Sequence, residues 1–271
     1  MVDGSQIRVP YQPDMEVFAL KQEIEDKTKI PIGIQKLILN GKVLENLAKH
    51  RRKRLSDFKI GPNSSVYLAK ILCELPRAMD KIKFKIDWGY PESKTTFFFN
   101  LFTWTTRKKD YLDASCLLYS LGKGRTHELE FTVNHKYPKY KDAIEHSGDV
   151  LDEGKKRGEH ILTLELQKLP ACITHLFFTL SSRITDTLKN YKDPKLEVQD
   201  HVEDKPLTKT SLKYRMLLGS SVVVCLYLSE DKIWRVMDIR RSTNGKVSNY
   251  HAIEQMIDGI FKDVFCYTYS K

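Results

Sequence analysis

The sequence lacks an apolar run long enough to cross a bilayer. Its longest, Leu217 to Leu228, is interrupted by Gly219, Ser220 and Ser221 and falls short of the roughly 20 residues a spanning helix needs. The amino end carries no basic segment followed by an apolar core and a cleavage site. No secretory leader is expected, and the chain is expected to work in the cytoplasm. The Asn63-Ser64-Ser65 match to a glycosylation acceptor then carries no weight. Cysteine is sparse. Cys73, Cys116, Cys172, Cys225 and Cys266 lie far apart, with no C-x-x-C pair. They read as reduced thiols, mostly in or near a core. There is no H-E-x-x-H, no Walker loop, no dinucleotide-binding glycine pattern and no nucleophile elbow. A catalytic site would have to be assembled from distant residues.

What is present is ordinary for a folded protein. The chain has 271 residues, 10% aromatic and 30% charged, which suits one large domain or two smaller ones. The formal net charge of +10 favours acidic partners without identifying them. Part of it is concentrated in Lys49-His50-Arg51-Arg52-Lys53-Arg54. That run reads either as a solvated loop or as a contact for nucleic acid, an acidic protein or anionic lipid, with Arg51, Arg52 and Arg54 as its main charges. No aromatic residue interleaves with it, which disfavours a single-strand binding groove.

The first seventy-odd residues have a legible plan. Asp14 is placed to cap a helix whose apolar positions are Val17, Leu20 and Ile24, and Pro31 helps to end it. Lys36-Leu37-Ile38-Leu39 reads as a strand. Asn40-Gly41 turns the chain sharply, because both residues tolerate left-handed backbone angles. Lys42-Val43-Leu44 returns, and Ser64 to Ile71 forms a later strand. The stretch from Lys29-Ile30-Pro31 through Gln35-Lys36-Leu37-Ile38-Leu39-Asn40-Gly41-Lys42-Val43-Leu44-Glu45, with Leu55-Ser56-Asp57-Phe58-Lys59-Ile60 after it, resembles ubiquitin. The resemblance implies a small α+β β-grasp domain over residues 1–74, with the basic run as an insertion in a surface loop.

Two features of this part depart from ubiquitin. Gln6-Ile7-Arg8-Val9 fits the family's second strand and Asp3-Gly4 its hairpin turn, so the β-grasp domain reads as incomplete at its N-terminus. The absent first strand would pair centrally with the last, and its absence exposes backbone donors and acceptors. Either the full-length protein begins earlier, or another segment fills the gap, or the module is only marginally folded. The first is preferred. The other departure concerns the apolar face through which ubiquitin recruits partners. Its matching positions are Ile38, Tyr67 and Ala69, with Lys36 as a basic neighbour, and they are the expected docking face for a protein partner. No di-glycine terminus follows the late strand, so ubiquitin-type conjugation is not expected.

A connector near Glu74 to Asp80 leads into a strand-rich remainder, residues 80–271. Ile82, Phe84, Ile86 and Trp88 alternate with polar residues, as one buried strand face does. Further strands are expected at Thr95 to Trp104, Ala114 to Ser120, Leu129 to Val133, Ile161 to Leu166, Ile173 to Leu180, Lys195 to Val198, Leu212 to Leu217, Val222 to Leu228 and Ile233 to Ile239. Such density indicates a sandwich or barrel. One helix, capped by Asn249 or Ser248, carries the stripe Ile253, Met256, Ile257, Ile260 and Phe261.

Several separated segments, in order, resemble the TerD tellurium-resistance and stress-response family. They are Leu112-Asp113-Ala114-Ser115, His146-Ser147-Gly148-Asp149, Glu159 with the strand ending Leu169-Pro170, and Trp234-Arg235-Val236-Met237-Asp238-Ile239 before Asn244-Gly245-Lys246-Val247 and Tyr250. The resemblance implies a mainly β chain with a two-sheet β-sandwich. It also implies calcium, a hard ion that takes six to eight oxygens. The surviving donors are Asp113, Asp149, Asp152, Glu153 and Glu159, with Asp110 one place out of register. Tyr111 stands where the family has an acidic residue, and Lys155-Lys156-Arg157-Gly158 replaces an acidic run, which opposes a divalent ion. His146 is expected to orient its loop, with Ser115 and Ser147 ordering the adjoining backbone. The function expected is a non-enzymatic, calcium-responsive or protein-binding stress-response adaptor. The alternatives are a metal-assisted hydrolase acting on a phosphorylated compound and a basic-loop nucleic-acid-binding protein.

Overall fold

A computed structural model describes residues 5–40, 42–48, 51–97, 102–107, 111–122, 126–182, 187–212, 219–246, 248–265 and 268–269. Asp3, Gly4, Gly41, Lys49, His50, Asp110, Val247 and Cys266 lie outside these residues, as does most of the strand expected at Leu212 to Leu217. The chain opens with helix α1 (Val17–Thr28), β1 (Gln35–Leu39) and β2 (Lys42–Val43). A short hairpin, β3 (Leu47–Ala48) and β4 (Arg51–Arg52), precedes β5 (Tyr67–Glu74). Next come β6 (Lys81–Gly89), β7 (Glu92–Phe97), β8 (Phe102–Arg107), β9 (Leu112–Leu121) and β10 (Thr126–Val133). The short β11 (Lys139–Tyr140), β12 (Ile144–His146) and β13 (Val150–Asp152) lead into β14 (Arg157–Glu165). Then follow β15 (Ile173–Ser182), β16 (Lys192–Asp200), β17 (Pro206–Ser211), β18 (Ser220–Leu228) and β19 (Trp234–Thr243). Helix α2 (His251–Ile260) runs on into a wider π turn (Phe261–Phe265), with β20 (Thr268–Tyr269) at the end.

The strands form two large sheets, a nine-stranded one ordered β2-β1-β5-β19-β18-β15-β9-β10-β20 and a seven-stranded one containing β11-β12-β14-β6-β16-β17, with β13 on β14. Strand alternation explains how they stack. On β6, Ile82, Phe84, Ile86 and Trp88 are fully buried while the residues between them are half-exposed. These side chains meet Ala114, Cys116, Leu118, Leu176 and Phe178 of the nine-stranded sheet in the main core, where the Phe84 and Phe178 rings stack at 3.8 Å. The opposite face of the large sheet, with Leu117, Tyr119, Phe177 and Cys225, packs on Ile253, Ile257, Ile260 and Phe261 of the C-terminal helical segment. A third cluster joins α1, through Val17, Leu20 and Ile24, to Leu37 and Leu68 of β1 and β5.

The place left by the missing first β-grasp strand is filled. Strand β5 has β1 on one side and β19 on the other, both antiparallel, with Arg235 opposite Glu74 and Asp238 opposite Lys70. A later segment of the chain thus pairs with this edge of β5. Gln6–Val9, expected as a strand, forms no ladder, although Ile7, Val9 and Tyr11 pack against the α1 core.

Other expectations shift in detail. Asp14 does not cap α1; the cap is Glu16, without a side-chain bond, and Asp14 pairs with Arg54 instead. Asn40 does adopt a left-handed angle, φ 48°. Of the basic run, Arg51 and Arg52 form β4, which pairs with β3, and Lys49 and His50 lie outside the described residues. The segment expected as one strand at Thr95 to Trp104 is divided between the antiparallel β7 and β8, with residues 98–101 outside the described residues, and β17 was not foreseen. Neither Asn249 nor Ser248 is the cap of α2; that position is Tyr250, without a side-chain bond, and the Asn249 Oδ1 accepts the His251 N–H at 3.1 Å. Cys116 and Cys225 are buried, Cys73 is half-buried and Cys172 is exposed. Burial pushes the Cys73 thiol up to about 11 and raises Cys116 and Cys225 as well, so none of these three presents a thiolate near neutral pH. No helix among the described residues is long and apolar enough to cross a membrane.

Gly158 tests the packing between β14 and β6. A Cβ there would lie 2.6 Å from the Trp88 ring. Gly158→Ala is expected to cost about 1–3 kcal/mol by overpacking, whereas Gly33→Ala and Gly61→Ala, with nothing within 4 Å, should stay within about 0.5 kcal/mol. Chemical denaturation of the three variants checks this.

Candidate functional site

The most connected polar site grows out of strand alternation. On β14, Gly158, His160, Leu162 and Leu164 face the core, and on β12 Ile144 and His146 do. Two imidazoles are therefore carried inward with the apolar residues. His146 Nδ1 accepts the Gly148 N–H at 2.9 Å, so in the neutral ring Nε2 holds the proton. That Nε2–H lies 3.1 Å from the Ala114 carbonyl oxygen and 3.0 Å from His160 Nδ1. His160 Nε2 in turn faces the Asp149 carboxylate at 3.0 Å, and its ring leans on Trp88 at 5.0 Å. Ser147 closes the loop by accepting the Ile161 N–H and donating to the Gly148 carbonyl. His146 and Ser147 thus order this loop, as expected. Burial, then the neighbouring His160, holds His146 down at about 4.

Each of the five candidate calcium ligands faces a basic group of the chain. Asp113 sits on β9, where its neighbours alternate. Ala114, Cys116 and Leu118 enter the core between the sheets, and Leu117 and Tyr119 enter the core beneath α2. Asp113 shares the parity of the second set. It is 3.4 Å from His135 Nδ1, close to Ser115, whose hydroxyl meets the Tyr250 hydroxyl at 2.8 Å. Asp149 is reached from the other face of β9, through the two imidazoles. The remaining acids each have a lysine: Asp152 with Lys155 at 3.1 Å, Glu153 with Lys156 at 3.6 Å and Glu159 with Lys85 at 2.7 Å. The Lys155 backbone N–H, then its side chain, holds Asp152 below the usual carboxylate range. No group of three or more His, Cys, Asp or Glu placed to hold a metal occurs among the described residues. These carboxylates are thus engaged pairwise with basic groups rather than standing free as oxygen donors.

The expected docking face is also occupied from within. Ile38 is 4% exposed and Ala69 is fully buried, in one cluster with Met237, Ile239, Ile253, Ile257 and Phe261, and Tyr67 packs against them. Lys36 Nζ lies 3.3 Å from the Tyr227 hydroxyl and above its ring. Burial, then Arg235, lowers the Lys36 pKa. The reason is the β5–β19 pairing, which makes this face continuous with the face that carries α2. Ile38 and Ala69 are thus covered by the chain itself, while Lys36 and Tyr67 are half-buried. In the basic hairpin, Arg51, Arg52 and Arg54 pair with Asp57, Glu16 and Asp14, exposed contacts of small individual worth.

Sequence reasoning missed His160, His175 and the clamp on α2. His127 Nε2 meets Asp258 at 2.8 Å, Arg241 pairs with Asp263, and Tyr250 is held by Ser115 and Asn134. His175 is buried among Phe177, Tyr227, Phe261 and Phe265. His160 was within reach, since it keeps the two-residue phase of Leu162 and Leu164.

Comparisons with known proteins divide the chain in the same way. Residues 1–71 match the family model of the ubiquitin family. Ubiquitin-like protein 4A of Oryctolagus cuniculus and of Homo sapiens is 36% identical over 67 residues, 25% of this chain and 40% of those proteins. The chain thus spans less than half the length of these curated relatives. Among solved structures, a protein of unknown function, SAV2460, superposes with a TM-score of 0.50 at 12% identity, over 66% of this chain and 98% of its own. That likeness concerns the fold alone. A homologue of telluride resistance protein (TerD) from Streptomyces coelicolor A3(2) gives a TM-score of 0.48 at 12% identity, over 63% of this chain and 94% of its own, and no argument rests on it. The chain carries an N-terminal ubiquitin-like domain followed by a two-sheet sandwich whose fold is similar to that of SAV2460.

The buried histidines set a pH dependence. Burial holds His146 at about 4 and, with His127, holds His175 at about 3, below the ordinary 6.5. Between those values the unfolded chain binds protons that the folded chain refuses, so stability present above pH 6.5 is lost as pH falls, by at most about 1.4 kcal/mol per pH unit for each histidine. Denaturant midpoints measured from pH 7 to pH 4.5 should fall steadily, and His175→Phe should flatten the slope.

Proposed function

We propose that the chain is a non-enzymatic, protein-binding adaptor of the stress-response type. The observation that carries this reading is the ubiquitin-like domain, which stands as part of one continuous sheet with the sandwich. Domains of this kind work by presenting a surface to another protein, and the rigid fusion gives such a surface a fixed bearing on the larger domain. The stress-response element rests on the ordered TerD-like segments: Leu112–Ser115 on β9, His146–Asp149 after β12 and Trp234–Ile239 on β19. Calcium is not carried into this reading, because the acids that would hold it are spent on lysines and histidines. With Ile38 and Ala69 buried, the partner is engaged by a surface other than the expected apolar face.

Cross-linking mass spectrometry on the tagged full chain in its own cells tests the proposal. Cross-links from one or a few proteins to the exposed Lys27, Lys29, Lys42, Lys59 or Lys232 are the expected result, reproducible between cultures and altered in yield by tellurite. Cross-links confined to the chain itself would contradict it.

A further inference from the structure

The place where the two domains join contains a cavity of about 250 Å³. Three segments build it: the connector after β5, the 3₁₀ turn after β14 (Leu166–Lys168) and the turn that enters β19. Its floor is Leu75, Leu166 and Met79, and the half-exposed Ile233 and Trp234 form one wall. Hydrogen bonds fix these walls. Leu75 N–H donates to the Trp234 carbonyl at 2.9 Å, Leu166 N–H to that of Asp80 at 2.8 Å and Met79 N–H to that of Pro76 at 2.9 Å. The volume falls below the roughly 300–1,000 Å³ of pockets that enclose whole small molecules. It suits one or two apolar side chains, and a fixed indole beside aliphatic groups is the kind of pocket in which binding energy concentrates.

Charge selects the occupant. Arg77 and Lys232 stand exposed at the mouth. Among the described residues neither has an acidic partner, and Arg77 only donates to the Asp231 carbonyl oxygen at 3.0 Å. Of the nearby carboxylates, Asp231 and Glu74 both bind Arg235, at 2.7 and 2.6 Å, Glu165 binds Lys81 and Lys168, and Asp80 accepts the Gln167 N–H at 3.0 Å. Arg235 and Ser229 hold the Asp231 carboxyl far below the usual range, so it stays ionised and committed to Arg235. The mouth is therefore cationic above an apolar floor.

We infer that this junctional cavity docks a peptide segment of a protein partner through an apolar side chain flanked by aspartate or glutamate. The inference rests on the protein-binding reading above and gives that reading a surface independent of the buried Ile38 face. Carboxylates beside the anchor would meet Arg77 and Lys232, and the apolar side chain would cover Trp234. Such charge pairs at a rim contribute mainly to specificity and encounter rate, while the anchor holds the complex.

Fluorescence polarisation on the full chain tests it. The probe is a fluorescein-labelled hexapeptide alternating aspartate and leucine, with aspartate–serine and lysine–leucine hexapeptides as controls. The inference expects saturable binding of the aspartate–leucine peptide alone, weakened at least tenfold in the surface double variant Arg77→Glu/Lys232→Glu and weakened further by Ile233→Asp. Absence of saturable binding overturns it, as does equal binding of the aspartate–serine peptide or undiminished binding by the double variant. Partner cross-links persisting alongside any of those results would refute this cavity while leaving the adaptor reading in place.

Discussion

The backbone ladder between β5 and β19 is the contact on which the rest of the structure depends. Without it, the last strand of the ubiquitin-like domain would present a row of unpaired amides and carbonyls beside a half-covered core, which costs free energy and invites aggregation. With it, that domain becomes the far end of the large sandwich sheet. Charge reinforces the seam: Arg235 of β19 binds Glu74 of β5 at 2.6 Å, and Lys70 of β5 lies 3.5 Å from Asp238 of β19. One face of the shared sheet packs on α1 at one end and on the second sheet at the other, and its reverse face carries α2. A chain whose sequence divides into two modules is thereby built around a single sheet.

Function follows from that geometry. A free ubiquitin-like domain offers the face containing Ile38 and Ala69, but here the neighbouring strand brings the sandwich's apolar surface and its helix into line with it. The acids at the candidate calcium positions are likewise paired within the chain. Asp149 anchors a two-histidine chain, Asp113 meets His135, and Lys85, Lys155 and Lys156 take the others. Among the described residues, Arg77 and Lys232 stay exposed at the mouth of the cavity where the two domains join.

Much of this plan was legible in the residues. Ile82, Phe84, Ile86 and Trp88 declare a strand with one buried face, Val17, Leu20 and Ile24 declare α1, and Asn40 marks its turn. Trp234 to Ile239 reads plainly as a strand. Its partner did not, because pairing between β5 and β19 joins segments some 160 positions apart and no local pattern encodes such a register. Nor does a local pattern reveal that Asp113 faces His135 while Asp149 faces His160. His160 was obscured by the charged run before it, although its phase with Leu162 placed it inside.

The central claim is that the ubiquitin-like domain and the sandwich form one cooperative unit through β5 and β19. Native-state hydrogen exchange on the full chain, followed amide by amide against denaturant, addresses it most directly. The account predicts that amides of β1 and β5 share the opening free energy and denaturant dependence of β18 and β19. Exchange of β1 and β5 through a separate, cheaper opening, with β18 and β19 still protected, would contradict it.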